Sequence, residues 1–397
     1  MISLARYAAL LDRPHLRAAV VASVIGRLPI GIAGLSILLL AQGASGSFAR
    51  GGATAAAYVV GLACVAPLLG RFIDRSGPRG VLLWCALVFP AALAALVLSV
   101  RSDAGTALTL ALSFAAGASF QPITVCMRTF FRQQLGDEPL LAAAFSLEAV
   151  LIETIFIIGP MLVALFVALA SAAAAVLFAA ACACTGTLLF LRSPALAAWR
   201  LEARPGASLF GPLAEPGFAP LLAVVLCYSA AFGLVEIGVT AFAAEAGHAA
   251  LAGVLLGLMS VGSVAGGLAY GSRSWRMPLA RQFALTLALM GAGVALLIPA
   301  SNAWLFSALS VVAGIVMAPA LTIQSMLVAR TASPQHATEA FTWSATGLLS
   351  GVGIGIAAGG VLTERWGSGA TFVAAALAAI SAGALALTLR VRAGGNR

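Results

Sequence analysis

Gly70-Arg71-Phe72-Ile73-Asp74-Arg75-Ser76-Gly77-Pro78-Arg79-Gly80 separates two long apolar runs, residues 53–72 before it and 80–100 after it. Each run approaches the ~20 apolar residues that a helix needs to cross a bilayer. The stretch between them is a tight basic turn, so the two runs return on each other and place the turn on one side of a membrane.

The composition agrees with that reading. Of 397 residues, 62% are hydrophobic and 9% charged, and the mean hydropathy is +1.06. A chain this apolar cannot bury its surface in soluble cores, so a bilayer covers it. The net charge of +9 is spread in ones to threes between apolar runs. It forms no basic stripe interleaved with aromatics, which excludes nucleic acid as a partner. All 22 basic residues are arginine, so proton traffic through side chains falls to Glu, Asp and His. The six cysteines lie inside apolar runs and read as small hydrophobes, with no metal spacing among them.

Working outward, twelve apolar runs are found: 18–41, 53–72, 80–100, 104–131, 141–168, 171–191, 218–244, 249–271, 280–299, 303–329, 339–362 and 370–390. The first is too long for a signal peptide core and reads as an uncleaved first span. With both termini cytoplasmic, only Arg50, Arg101 and Arg365 fall outside and Arg27 lies within a span, while every other arginine faces the cytoplasm. That asymmetry fixes the expected orientation. The expected location is a bacterial cytoplasmic (inner) membrane. Trp84, Trp304 and Trp366 sit near run ends as interfacial anchors.

The longest break, rich in Pro and Gly, gives the domain plan: a six-helix bundle at 1–192, a cytoplasmic linker at 193–217 and a second six-helix bundle at 218–397. The halves repeat. Residues 111–122, ALSFAAGASFQP, match 308–319, ALSVVAGIVMAP, and Gly61-Leu62, Val65 and Gly70 match Gly257-Leu258, Val261 and Gly266. Ala144-Phe145-Ser146 matches Ala340-Phe341-Thr342. Parallel halves of this kind are a transporter design with the substrate site between them near mid-membrane.

The turn quoted above resembles the loop signature of the major facilitator superfamily, Gly-x-x-x-Asp-Arg/Lys-x-Gly followed by basic residues, and the six-plus-six plan extends the resemblance over the whole chain. In the second half, Gly266 is kept, Tyr270 replaces the aspartate, and Arg273 and Arg276 remain basic. The resemblance implies an all-α integral membrane fold of twelve helices in two pseudo-symmetric bundles. It also implies a cytoplasmic gate of Gly70, Asp74, Arg75, Gly77, Arg79 and Arg128, in which Asp74 caps or pairs near the start of the eleventh helix while Arg75 and Arg79 reach acidic partners. Gly159-Pro160 resembles the end of an exporter-associated motif in the fifth helix, without its upstream glycines. The arginine of the fourth-helix signature is replaced by Ser113.

Ionisable groups at membrane depth are costly and mark functional positions. Arg27 and Glu153 lie near mid-depth and are expected to meet; Glu148 is shallower, within reach of Arg128, and Glu236 lies toward the outer half of the seventh helix. Arg128 and Glu339 are expected to snorkel, and Glu245 and His248 to be solvated in an outer loop. Gln121 and Gln324 are the clear mid-span amides, too few for a sugar site. Setting Arg27 against Glu148, Glu153 and Glu236 gives a negative balance that suits neutral or cationic compounds. No phosphate loop is present, so ATP is not the energy source.

The expected function is therefore a secondary active transporter, not an enzyme, without metal or cofactor. It moves a small lipophilic compound by alternating access in proton-coupled export, with protons, lipid and substrate as partners, and it acts as a monomer. The alternatives are proton-coupled uptake of a small carboxylate held by Arg27, and a non-transporting membrane sensor or assembly factor.

Overall fold

The computed structural model describes residues 5–46, 48–193, 196, 199–201, 211–247, 251–300 and 302–389. Among these the chain is helical throughout. The first half comprises α1 (Ala5–Leu11), α2 (Pro14–Arg27), α3 (Pro29–Ser45), α4 (Phe48–Ser76), α5 (Pro78–Arg101), α6 (Thr106–Ala118), α7 (Ile123–Gln134), α8 (Glu138–Leu169) and α9 (Ala172–Leu191). The second comprises α10 (Phe218–Glu245), α11 (Leu251–Gly271), α12 (Leu279–Ala295), α13 (Ala303–Gly314), α14 (Met317–Thr331) and α15 (Ala337–Ala386).

Twelve spans result because some span two helices and one helix holds two spans. The first, fourth and tenth runs are each broken in the middle, into α2–α3, α6–α7 and α13–α14. Proline explains the three breaks, since its ring clashes with the carbonyl four residues earlier and it has no N–H to donate. Pro29 begins α3, Pro122 caps α7, and Pro319 lies four residues after Ile315, where α13 ends. The eleventh and twelfth runs form one continuous assignment, α15, interrupted at Gly367, whose φ of 78° and ψ of 179° turn the chain. Gly suits that left-handed φ because it has no Cβ. The ninth span, α12, has 17 residues. His248 lies outside the described residues.

Close glycine contacts hold the helices of each half together. A Cβ on Gly61 would lie 2.1 Å from the Phe114 carbonyl oxygen, and one on Gly117 would lie 1.8 Å from that of Tyr58, so α4 and α6 approach backbone to backbone. Gly314, the repeat partner of Gly117, presses in the same way on the Met259 carbonyl, with α13 against α11. Gly351 and Gly355 pack α15 on α10, whereas Gly253 and Gly257 face open space. Bulky apolar side chains remain exposed around the outside, Trp304 at 88% and Trp366 at 66% among them. A bilayer is the solvent that makes such a surface stable.

This packing predicts a sharp contrast between two chemically identical substitutions. Gly117→Ala forces its methyl group into backbone and should cost about 1–3 kcal/mol by overpacking, whereas Gly257→Ala meets nothing within 4 Å and should be neutral. Thermal denaturation of the detergent-purified variants checks this, with a lowered midpoint expected for the first only.

Candidate functional site

At the end of the bundle that carries the quoted turn, the two halves are joined by hydrogen bonds from side chains of one to backbone of the other. Asp74, at the end of α4, accepts from the backbone N–H of Thr338 at 2.9 Å and of Glu339 at 2.7 Å. These are among the first amides of α15, which have no intrahelical partner and carry the positive end of the helix dipole. The approach is close because position 70, one turn earlier on α4, is glycine: a Cβ there would lie 2.5 Å from Thr342 Oγ1 and 3.0 Å from Glu339 Cα.

Further bonds surround this one. Arg132 of α7 donates to the Ala332 carbonyl at 2.6 Å, just past the end of α14. Arg330 of α14 pairs with Glu138 of α8. Tyr7 donates to the Leu268 carbonyl at 3.1 Å, and the Ser146 hydroxyl to the Gly267 carbonyl. The end of the linker takes part as well. Glu215 accepts from the Ser333 N–H at 2.7 Å and its hydroxyl at 2.6 Å, and lies 2.9 Å from His336 Nδ1. His336 is the residue preceding α15, so the linker clamps the same helix start that Asp74 caps. Glu339 is buried there, within electrostatic reach of Arg71, Arg75 and His336.

Several expectations are corrected here. Glu339 does not snorkel but is 2% exposed. Arg79 is exposed, with no acidic partner among the described residues. Arg128 is not part of this face: it is 8% exposed inside the bundle. Helical side chains lean toward their helix N-terminus, and α7 runs from mid-membrane toward the arginine-rich face, so Arg128 points inward rather than out to water. Glu245 is not simply solvated, since it accepts from the N–H of Ser368 at 2.8 Å and its hydroxyl at 2.6 Å, capping the helix that resumes after Gly367.

In the interior, Arg27 pairs with Glu148, not with Glu153. Its Nη1 lies 2.5 Å from Oε2 and its Nη2 3.0 Å from Oε1, and both side chains are almost wholly buried. The guanidinium folds back along α2, with Nε on the Ser23 carbonyl at 3.1 Å and Nη2 on the Ser23 hydroxyl. That backward lean brings it to the shallower carboxylate. Arg27 is thus bonded to protein through all three nitrogens in this conformation. Glu153 instead accepts from Ser263 Oγ of α11 at 3.0 Å, and the same hydroxyl accepts from the Ala318 N–H at 3.0 Å. Glu236 is exposed and has no side-chain partner among the described residues.

The two amides differ in use. Gln324 has a partner at both its oxygen and its nitrogen, accepting from the Tyr228 hydroxyl and donating to Ser344 Oγ at 2.6 Å, so it ties α10, α14 and α15 together. Gln121 donates to the Gly26 carbonyl at 3.0 Å but its Oε1 is buried without a partner. Gly159 serves packing: a Cβ there would lie 2.5 Å from the backbone of Gly31, which locks α8 onto α3 just before Pro160. The interior charge balance also changes. Arg27 and Arg128 lie with Glu148 at one level, and Arg128 feels Glu148, Arg27 and Tyr228. Set against Glu148, Glu153 and Glu236 together, the second interior cation makes the balance less negative without reversing its sign.

Ser146, Arg132, Glu138, Glu215 and His336 were not legible as contact residues. Each is an ordinary polar residue at a span end, and only the approach of the other half gives it a partner.

No protein-family profile and no curated relative matches the sequence. Solved structures do. The human organic anion transporter MFSD10 (TETRAN) superposes with a TM-score of 0.75 at 19% identity over 94% of this chain and 99% of that one. A bacterial homologue of the iron transporter ferroportin in an outward-facing state gives 0.77 at 14% identity, covering 94% and 98%. The E. coli fucose:proton symporter FucP gives 0.69 at 14%, again covering 94% and 98%. The chain has the twelve-helix fold of the major facilitator transporters.

The ion level predicts an asymmetry between partners. Glu148→Gln leaves two buried arginines and should cost about 3–5 kcal/mol, the usual loss for a broken buried pair. Arg27→Gln leaves Glu148 still opposed by Arg128 and should cost less. Equal losses in thermal denaturation would show that Arg128 does not share the carboxylate.

Proposed function

We propose that the chain is a secondary active transporter that works by alternating access in a bacterial cytoplasmic membrane, with both termini cytoplasmic. The observation that carries this reading is the set of cross-half bonds at the arginine-rich face. They join two bundles end to end through side chains of one and helix termini of the other, which is the form a breakable gate takes. With that face cytoplasmic, as the arginine distribution favours, the gate is closed to the cell interior and the conformation is outward-facing. The likeness to the outward-facing ferroportin homologue supports that assignment.

The driving ion in this reading is the proton, and Glu153 carries it. Glu153 sits on the contact between halves and is bonded to a serine rather than an arginine. In this reading Glu153 takes up its proton while the contact is exposed on one side and gives it up when the contact opens to the other. Glu148, by contrast, is bonded through both oxygens by Arg27. Transport runs outward in exchange for protons, the direction with which the Gly159-Pro160 pair is associated. A monomer suffices, because one chain contains both halves of the pathway.

The test begins with a compound that stabilises the purified protein in a thermal-shift screen. In proteoliposomes, an imposed proton gradient should drive its accumulation through the wild type. Glu153→Gln should lose gradient-driven accumulation by tenfold or more, roughly the contribution of one essential charge step, while retaining exchange between equilibrated compartments. A wild type that binds but moves no compound would favour the sensor reading. Gradient-driven transport that survives in Glu153→Gln would exclude this residue as the proton site.

A further inference from the structure

We infer that Ser263 is a positioning residue for the proton site: its hydroxyl ties the Glu153 carboxyl of one half to the start of α14 in the other, so the site is assembled from both halves. The inference rests on the transport reading in which Glu153 carries the proton, and names the group that holds it.

A serine inside a helix commonly returns its hydroxyl proton to the carbonyl four residues back. Ser307, Ser310 and Ser325 of this half do so. Ser263 of α11 turns elsewhere. The carbonyl four residues before it, that of Met259, is met by Gly314 of α13, where a Cβ would lie 2.0 Å from the oxygen. The Ser263 side chain is wholly buried and its hydroxyl donates across the halves, to Glu153 Oε1 of α8 at 3.0 Å. The same oxygen accepts from the Ala318 N–H at 3.0 Å. Ala318 is the second residue of α14, and Val316 at the N-cap offers no side-chain acceptor. The first amides of a helix have no intrahelical partner and carry the positive end of its dipole. Ser263 therefore supplies from another helix the cap that α14 lacks. An amide N–H can only donate, so it takes a lone pair of the hydroxyl and leaves the hydroxyl proton for the carboxyl. Each bond of such a chain polarises the next.

Glycines bring the three helices to one point. A Cβ on Gly262 would lie 2.0 Å from the Val311 carbonyl oxygen and one on Gly266 1.7 Å from that of Ile315, so α11 is seated against the end of α13 on either side of Ser263 in sequence. One on Gly267 would lie 2.9 Å from Ala318 Cβ and 3.0 Å from Val150 Cγ2, so α14 and α8 close in a turn further on. In the internal repeat this junction has no counterpart. At the offsets of the repeat, Glu153 corresponds to Leu349, Ser263 to Pro67 and Ala318 to Gln121. Neither Leu349 nor Pro67 has a side chain that can hydrogen-bond. Packing contacts recur in both halves, as at Gly117 and Gly314, whereas the bonded chain occurs in one. Ser260, a turn earlier on α11, also hydrogen-bonds the Glu153 carboxyl. Of the two serines, among the described residues, only Ser263 is bonded to α14 as well.

In this arrangement the proton moves between water and the Glu153 carboxyl, while Ser263 keeps its own proton and orients the group that receives it. The test reads the carboxyl directly and needs no substrate. The full-length protein is reconstituted in phosphatidylethanolamine and phosphatidylglycerol vesicles, and infrared difference spectra are recorded between about pH 4 and 9. Wild type should show a carboxylic C=O stretch that Glu153→Gln removes. Ser263→Ala should move that band to higher wavenumber, because the carboxyl loses a donor, and Ser263→Thr, which keeps the hydroxyl, should return it. Should Ser263→Ala fail to fold, Ser263→Cys, a weaker donor, should move the band the same way by less. A wild type without a Glu153 band would overturn the proton reading and this inference with it. A Glu153 band that stays in place in Ser263→Ala and Ser263→Cys, or that Ser263→Thr does not return, would overturn this inference alone.

Discussion

The bond from the Asp74 carboxylate to the first amides of α15 is the contact on which the rest of the arrangement depends. It joins the end of one half to the beginning of a helix in the other, and both oxygens are used. Charge-assisted bonds of this type contribute about 1.5–3 kcal/mol each, and the helix dipole adds roughly 0.3–1 kcal/mol. Because 1.4 kcal/mol is a factor of ten in population, a contact made in one conformation and absent in the other can set which one dominates. Around it, Arg132, Glu138 with Arg330, Tyr7 with Ser146, and Glu215 with Ser333 and His336 repeat the same device: a polar side chain of one half or the linker seated on a helix end of another. The helices themselves are held together within each half by backbone-to-backbone approaches at glycine.

Inside, three carboxylates have three different fates, and rotation about the helix decides between them. Glu148 and Glu153 are five residues apart on α8, which turns them well away from each other. Glu148 faces α2 and is fixed by Arg27. Glu153 faces α11 and meets only hydroxyl groups. Glu236 remains exposed on α10. A carboxyl bonded to a guanidinium and one bonded to a hydroxyl are different components, and the fold separates them along one helix.

The spans and their number could be read from hydropathy because a bilayer leaves few alternatives for an apolar chain. The repeat was readable too, and Gly117 with Gly314 shows what it preserves, a backbone-to-backbone approach at matching places. Depth was readable for the charges but azimuth was not, which is why Arg27 was matched with the wrong glutamate. Arg128 was misplaced for a related reason: its distance from the span end suggested snorkelling, but α7 runs toward that face and its side chains lean away from it. The helix breaks at Leu28 and Ile315 follow from Pro29 and Pro319, a local rule that span-length counting ignores. The contacts of Arg132, Glu215 and His336 depend on how two halves meet, and no local pattern encodes that.

The account stands most directly on whether the Asp74 bond sets the balance between two conformations. Spin labels at Arg79→Cys, at the exposed start of α5, and Arg276→Cys, in the exposed connection between α11 and α12, report the separation across the arginine-rich face in a background lacking the exposed Cys64 and Cys227. With Asp74 present the distance distribution should be dominated by the short separation of the closed face. Asp74→Asn, which replaces an acceptor with a donor opposite an amide N–H, should add a longer population, about tenfold or more enriched over wild type for a loss near 1.4 kcal/mol. A distribution unchanged by Asp74→Asn in a protein of normal stability would contradict the account.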